Sequence, residues 1–336
     1  MNIYKKIELE ILAADHIIIT SHKSPDGDSI GSSLGLYHFV SKLGKTAKIC
    51  HPDPAPDYLL WVEDVDKIAT ITKNKNEVES VFAKADLIFC LDYNATDRVG
   101  DEMQLLLETS KAKKIMIDHH LNPQDFALLT VSDTSVCSTS QLIYELIDQS
   151  GNIDLLDEKI GAPLYLGILT DTGSFRFPSV QPRTHSILAN LLSNGVKHHL
   201  IHENLNDSNT LSRLQLQGFA INTRLEILPD YKIGIIALTE ADMKQFDCQK
   251  GDTDGLPNVV LSIKGMKAAV LFVEKVGIIK ISFRSKGKEN PVNILATEHF
   301  DGGGHANASG GKSELTMAET LEKIKGLIPM YFAQNA

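Results

Sequence analysis

The sequence predicts an α/β protein: an N-terminal doubly wound, mainly parallel sheet, joined by a helical connector to a smaller C-terminal α/β domain. Three observations predict it. Short, β-branched apolar runs such as HIIIT, TAKIC, DLIFCL and KKIMID alternate with helical patterns through the first 150 residues. From about residue 154 to 225 the periodicity turns helical, and from YKIGIIALT onward strand patterns return. The 336 residues, 43% of them apolar, suffice for two cores.

Taken in order, residues 16–20 read as the first strand. Asp28 and Ser29 stand where they would cap the helix SIGSSLGLYHFVSKL, which Gly44 ends. TAKIC, residues 86–91 and residues 114–117 read as strands, with a helix near EMQLLLETS and a further strand at ALLTVSD. STSQLIYELIDQSG reads as a helix capped by Ser138 and stopped by Gly151. The helical stretch comprises DEKIGAPLYLGIL, PRTHSILANLLSNG and TLSRLQLQGFAINTRLEIL. AAVLFVEKV and GIIKISFRS then read as strands, PVNILATEHF as a helix, and LTMAETLEKIKGLIPMYF as an amphipathic closing helix. The expected domains are residues 1–205 and 229–336, with 206–228 as a helical linker.

Composition narrows the function. A net charge of −10 disfavours tracking along a long polyanion but allows a short phosphorylated ligand held by a few cations. No run approaches the roughly 18 apolar residues of a membrane span. The acidic residues within MNIYKKIELEILAADH argue against a signal peptide. Cys50, Cys90, Cys137 and Cys248 are scattered without CxxC spacing, which fits a reducing cytoplasm and implies no structural zinc.

The chemistry lies at the ends of the apolar runs. HIIITSHKSPDGD supplies His22, Asp26 and Asp28; DLIFCLDYN supplies Asp92; KKIMIDHH supplies Asp118, His119 and His120. The run LYLGILTDTG delivers Asp171 in the same manner. Groups just past the carboxyl ends of parallel strands converge on one crevice. Carboxylates crowded there cannot all ionise without positive charge between them, so a pair of divalent metals is expected. Asp26 and Asp28 can address different metals, Asp92 can bridge both, and His119 with Asp171 would complete the second site. Mixed imidazole and carboxylate ligands favour Mn²⁺, with Mg²⁺ allowed. Any one such Asp is more commonly a cap or turn residue; their joint occurrence carries the argument. In the C-terminal part, Gly302, Gly303 and Gly304 let the backbone approach a ligand and present N–H groups, and His305 follows directly. Arg284 ends an apolar strand and offers a fork suited to phosphate, whereas Lys286 and Lys288 read as surface charges. Arg98 can reach toward the metal loop or simply start a helix.

These segments together resemble the DHH phosphoesterase superfamily. SHKSPDGDSIGS is similar to its first motif, LDYN to the second, DHH to the third and TDTGSF to the fourth, while DGGGHANASGG resembles the glycine signature of the DHH-associated domain, type 1. Family members often carry alanine where this chain has Ser309. Length and the bare two-domain layout resemble the nanoRNase/pAp phosphatase group. The resemblance implies short RNA or DNA oligonucleotides and nucleotide bisphosphates as substrates, and a homodimer is compatible with it. It implies that His22, Asp26 and Asp92 hold one metal and that Asp28, Asp92, His119 and Asp171 hold the other. By the same resemblance Asp118 would orient a ligand, His120 would meet the substrate phosphate or leaving group, and Arg284 and His305 would hold a terminal phosphate. The rivals are a cyclic-dinucleotide phosphodiesterase, a RecJ-like single-strand exonuclease and, outside enzymes, a nucleotide-binding sensor. A RecJ-like enzyme would need a further, more basic strand-binding module. A sensor would be expected to have lost a ligand position, and none is lost.

Overall fold

A computed structural model describes residues 1–249 and 251–332. It divides into two compact units, Met1–Ser208 and Asn209–Ala336. No described helix is long and apolar enough to cross a membrane.

The first unit is built on a six-stranded, all-parallel sheet. Its strands are β1 (Ile17–Thr20), β2 (Ala47–His51), β3 (Ile68–Thr70), β4 (Leu87–Leu91), β5 (Lys113–Asp118) and β6 (Leu129–Ser132). They run in the order β3-β2-β1-β4-β5-β6. The order reverses between β1 and β4, and that reversal opens a crevice at their carboxyl ends. The helices are α1 (Ile3–Ala13), α2 (Gly27–Lys42), α3 (Ile71–Lys84), α4 (Asp101–Thr109), α5 (Thr139–Gln149), α6 (Glu158–Asp171), α7 (Pro182–Ser193) and α8 (His198–Asn206). Alternation along the strands sends Ile17, Ile19, Phe89 and Ile117 into one core and Ile18, Ile88, Cys90 and Met116 into the other. Cys50 and Cys90 are buried there as small apolar side chains, and all four cysteines are free thiols.

Helices α2 and α6 pack antiparallel at very short range. Gly27, Gly31 and Gly35 fall four residues apart, on one stripe of α2. A Cβ on Gly31 would stand 2.3 Å from the Pro163 carbonyl oxygen, and one on Gly35 would stand 2.4 Å from Leu164 Cδ2. One on Gly27 would meet Thr170 Oγ1 at 2.3 Å. The stripe therefore sets the separation, and it brings the N-terminus of α2 against the C-terminus of α6.

Several expectations are corrected here. Asp26, not Asp28 or Ser29, is the N-cap of α2; Ser29 closes the capping box from inside the helix. Asp171 does not follow a strand: it is the last residue of α6. That helix is buried along most of its length, so its apolar run resembles a buried strand. The segments α1, β3 and α3 are elements that the sequence reading does not include, although Ile3, Ile7 and Ile11 repeat at helical spacing in α1.

The second unit holds a mixed sheet. Its strands are β7 (Leu225–Leu228), β8 (Ile233–Leu238), β9 (Ala268–Lys275), β10 (Ile278–Ser285), β11 (Gly303–His305) and β12 (Ala308–Ser313). They run in the order β11-β12-β10-β9-β8-β7, and only the β8–β9 pair is parallel. Around them lie α9 (Leu211–Phe219), α10 (Glu240–Gln245), α11 (Leu256–Ser262), α12 (Asn293–His299) and α13 (Met317–Tyr331). Residues read as one long helix, TLSRLQLQGFAINTRLEIL, instead form α9, a π turn over Ala220–Arg224, and then β7 at the sheet edge. β7 pairs with β8, and this ladder ends the helical pattern. Gly303 and Gly304, expected to let the backbone approach a ligand, lie in the opposite edge strand β11.

Candidate metal centre

The loop after β1 starts the site. His22 turns its Nδ1 to the Lys23 carbonyl oxygen at 2.9 Å, which leaves Nε2 directed at the carboxylates. That Nε2 lies 3.3 Å from Asp92 Oδ2 and 3.9 Å from Asp26 Oδ2. Asp26 keeps Oδ1 on the amides of Asp28 and Ser29, both at 3.0 Å, because it caps α2. The Ser24 amide donates to Asp53 Oδ2 at 2.9 Å and the Lys23 amide to the Arg98 carbonyl at 2.8 Å, so neighbouring segments brace the loop.

Asp92 leaves the end of β4 with φ at +62°, a left-handed backbone that is unusual for a residue with a side chain. Strain of this kind concentrates at functional positions. Its amide donates to the Ile117 carbonyl at 3.1 Å, which ties the turn to β5. Oδ1 lies 3.6 Å from His119 Nε2 and 3.9 Å from His120 Nδ1, opposite the oxygen that faces His22. His119 Nε2 is also 3.3 Å from Asp171 Oδ2 and 4.0 Å from Asp28 Oδ2. Asp118 serves His120: its Oδ1 accepts from Nδ1 at 2.7 Å and its Oδ2 from the backbone amide at 2.8 Å.

Three groups of ligand atoms each fall within 4.8 Å: His22, Asp26 and Asp92; Asp28, His119 and Asp171; and Asp92, His119 and His120. Asp92 and His119 each belong to two of them. The electrostatics fit a cation in the crevice. Burial, then the nearby Asp28 and Asp26 carboxylates, push the Asp92 carboxyl well above its usual range. Burial raises Asp28 as well, against the pull of His119. Burial with Asp28 and Asp92 pushes Asp171 up to about 9. Burial lowers His119 and so favours the neutral imidazole that ligates metals. Burial works against the charged form of His120 too, but the Asp118 hydrogen bond and the Asp92 charge outweigh it and raise its pKa. The chain thus gathers acids that resist joint ionisation around imidazoles able to ligate, a donor set suited to divalent ions.

Sequence reasoning missed the supports. The Thr139 and Ser140 amides at the start of α5 donate to Asp28 Oδ2 and Oδ1 at 2.6 and 2.8 Å. Thr139 Oγ1 donates to Asp92 Oδ1 at 3.0 Å. Gly167 on α6 makes room, since a Cβ there would stand 2.7 Å from Asp28 Oδ1 and 1.9 Å from Ser140 Oγ. The available signals were the CSTS segment, read only as a helix start, and the four-residue glycine spacing in GDSIGSSLG. His51, at the carboxyl end of β2, is fully buried with Nε2 2.9 Å from Ser33 Oγ; burial takes its pKa down to about 3 and keeps the ring neutral.

A sequence model described as the DHH family, N-terminal domain matches residues 16–168, and one for the DHHA1 domain matches residues 232–333. Over 92% of its length the chain is 30% identical to a protein of Thermus thermophilus named bifunctional oligoribonuclease and PAP phosphatase NrnA, and it covers 87% of that protein. The chain belongs to the DHH family. Membership makes it a hydrolase of phosphoester bonds that depends on divalent metal. A Bacillus subtilis protein of the same name is 29% identical over 88% of each chain. The crystal structure of an exopolyphosphatase-related protein from Bacteroides fragilis matches with a TM-score of 0.95 at 38% identity, over 98% of this chain and 96% of that one. Every ligand group described above lies in the first unit, where the DHH match falls, although Asp171 comes just past the matched residues.

Within the DHHA1 match, Arg284 stands near the end of β10, half-buried, with Nη1 donating to the Phe283 carbonyl at 2.8 Å. Burial lowers its pKa. Arg284 pairs across to Ala308, and Ala308 to His305, so the two sequence-selected residues share one backbone row. The His305 side chain lies outside what the structure describes. Gly302 and Gly304 permit the close hairpin: a Cβ on Gly302 would meet the Gly310 carbonyl at 2.0 Å, and Gly304 has φ at +133°. Gly303 faces open space apart from Thr297 Oγ1. Arg98 is exposed in a 3₁₀ turn over Thr96–Val99, and its positive charge is felt by His120.

Proposed function

We propose that this chain hydrolyses short oligoribonucleotides, linear dinucleotides included, to mononucleotides, and converts pAp to AMP and phosphate. Two divalent ions, Mn²⁺ in preference to Mg²⁺, serve it in the DHH domain. The observation that carries the reading is that Asp92 belongs to two ligand groups and faces them with different oxygens, Oδ2 toward His22 and Oδ1 toward His119, which suits two adjacent cations better than one. His22, Asp26 and Asp92 would hold the first ion; Asp28, Asp92, His119 and Asp171 the second. The paired names of the curated relatives, each covered over most of its length, support the substrate class. The scattered free thiols suit a reducing cytoplasm.

When bound, the ions supply Lewis-acid charge that activates water and offsets charge developing on the phosphoryl group. The chain's own groups do the rest. Asp118 holds His120 through Nδ1, fixes the ring and favours its protonated form. His120 Nε2 then carries the proton that a departing ester oxygen needs. Arg98, at the rim, adds positive charge for a substrate phosphate. Arg284, with the glycine strand β11 and His305, would receive the terminal phosphate or nucleotide.

A Mn²⁺-supplemented assay across pAp, pGpG, RNA oligomers of graded length, cyclic dinucleotides and pyrophosphate tests the reading. The expected order is pAp and the shortest RNAs first, with rate falling as length grows. Preference for long single-stranded DNA, for cyclic dinucleotides or for pyrophosphate would replace it with another reaction of the same centre.

A further inference from the structure

Building on the two-cation reading, we infer that Thr139 is a positioning residue that makes the two oxygens of Asp92 unequal, so that the start of α5 governs how firmly the ion on the Asp28–His119–Asp171 side is held. The Asp92 backbone is pinned in its left-handed turn by the hydrogen bond its amide donates to the Ile117 carbonyl, but its carboxylate could still rotate about its own bonds. The Thr139 hydroxyl removes that freedom. It donates to Oδ1, the oxygen nearest His119, and leaves Oδ2 toward His22. The Thr139 amide, with that of Ser140, holds both oxygens of Asp28. One dipeptide thus orients two carboxylates on the same side of the crevice.

The other side is built differently. Asp26 rests on amides of its own helix and is half exposed, and His22 rests on the Lys23 carbonyl. Among the described residues, α5 makes no hydrogen bond to either of them. Thr139 and Ser140 are fully buried, so water cannot stand in for a lost hydroxyl. β-Branching at Thr139 also restricts the rotamers available to that hydroxyl. Partners of this kind change metal affinity by about 10- to 100-fold when removed.

The test compares Thr139→Val, which keeps the shape and deletes the hydroxyl, with Thr139→Ser, which keeps the hydroxyl. Calorimetric titration with Mn²⁺ and electron paramagnetic resonance count the ions and resolve their two binding steps, without recourse to turnover. The expected result is that Thr139→Val weakens one step by about 10- to 100-fold while the other stays within about threefold, and that Thr139→Ser restores both. With pAp, kcat should fall and KM should hold, because Thr139 is not placed against substrate. Circular dichroism confirms folding, and Thr139→Ala carries the same titration if the valine variant does not fold. Wild-type affinity for both ions in a folded hydroxyl-less variant, or equal weakening of both steps, overturns the inference. A wild-type protein that takes up fewer than two ions overturns the two-cation reading along with it.

Discussion

Asp28 and Arg284 show two ways of presenting a charged group. Asp28 is 1% exposed, begins a buried helix, and has both oxygens on the amides of another helix. Arg284 stands near the end of a sheet strand, half-buried, with Nη1 donating to the adjacent Phe283 carbonyl. In the DHH domain, the loop after β1, the ends of β4 and β5, and helices α2, α5 and α6 all contribute to one crevice. In the DHHA1 domain, a single patch formed by β10, β12 and β11 carries the selected residues. Chemistry on a phosphoester needs groups held rigidly before substrate arrives. The proposed phosphate-binding residues lie instead on the inner strand β10 and the edge strand β11, joined through Ala308 of β12 in one backbone row.

The comparison can be broken experimentally. The largest effect is expected at Asp92→Ala, which removes the carboxylate whose two oxygens face different ligand groups; turnover should nearly vanish, and calorimetry should show Mn²⁺ uptake lost or greatly weakened. Near-normal hydrolysis by that variant would mean that the centre is not where it is placed here. Gly167→Ala comes next, because its methyl would enter the space of Asp28 and Ser140. Overpacking of this kind destabilises by about 1–3 kcal/mol, and activity should drop more than the melting temperature suggests. Chelation, followed by return of the metal, sharpens the contrast between units. Returning Mn²⁺ at about a hundredfold over its Kd should stabilise by about 2.7 kcal/mol. The melting transition of the DHH domain should then rise by about 5–10 °C, leaving that of the DHHA1 domain in place. Arg284→Ala should be mildest: KM for pAp should rise by about tenfold, as for loss of a charged hydrogen bond, with kcat little changed. An unchanged KM would remove Arg284 from the binding surface.

Much of the crevice is legible in the sequence. His22, Asp92, Asp118 and His119 were recognisable because parallel strands are continuous apolar runs, and the polar residues that end them must lie at the sheet's carboxyl edge. Asp171 was selected for its place after such a run, yet it ends α6; a helix buried on all sides and a buried strand look alike over ten residues. Asp26 and Asp28 were both noticed, but only the geometry assigns the cap to Asp26, because either residue could start the helix by local rules.

The sequence by itself determined which side chains can ligate and the α/β alternation that carries most of them to one edge, since periodicity records which residues are buried. Tertiary structure alone decided the partners. The Asp28–Thr139 bond joins residues 111 positions apart, and the α2–α6 approach depends on three glycines meeting a helix far along the chain. Local pattern carries no information about such pairs, because burial can be read from one segment whereas the neighbour that buries it is chosen only when the segments pack.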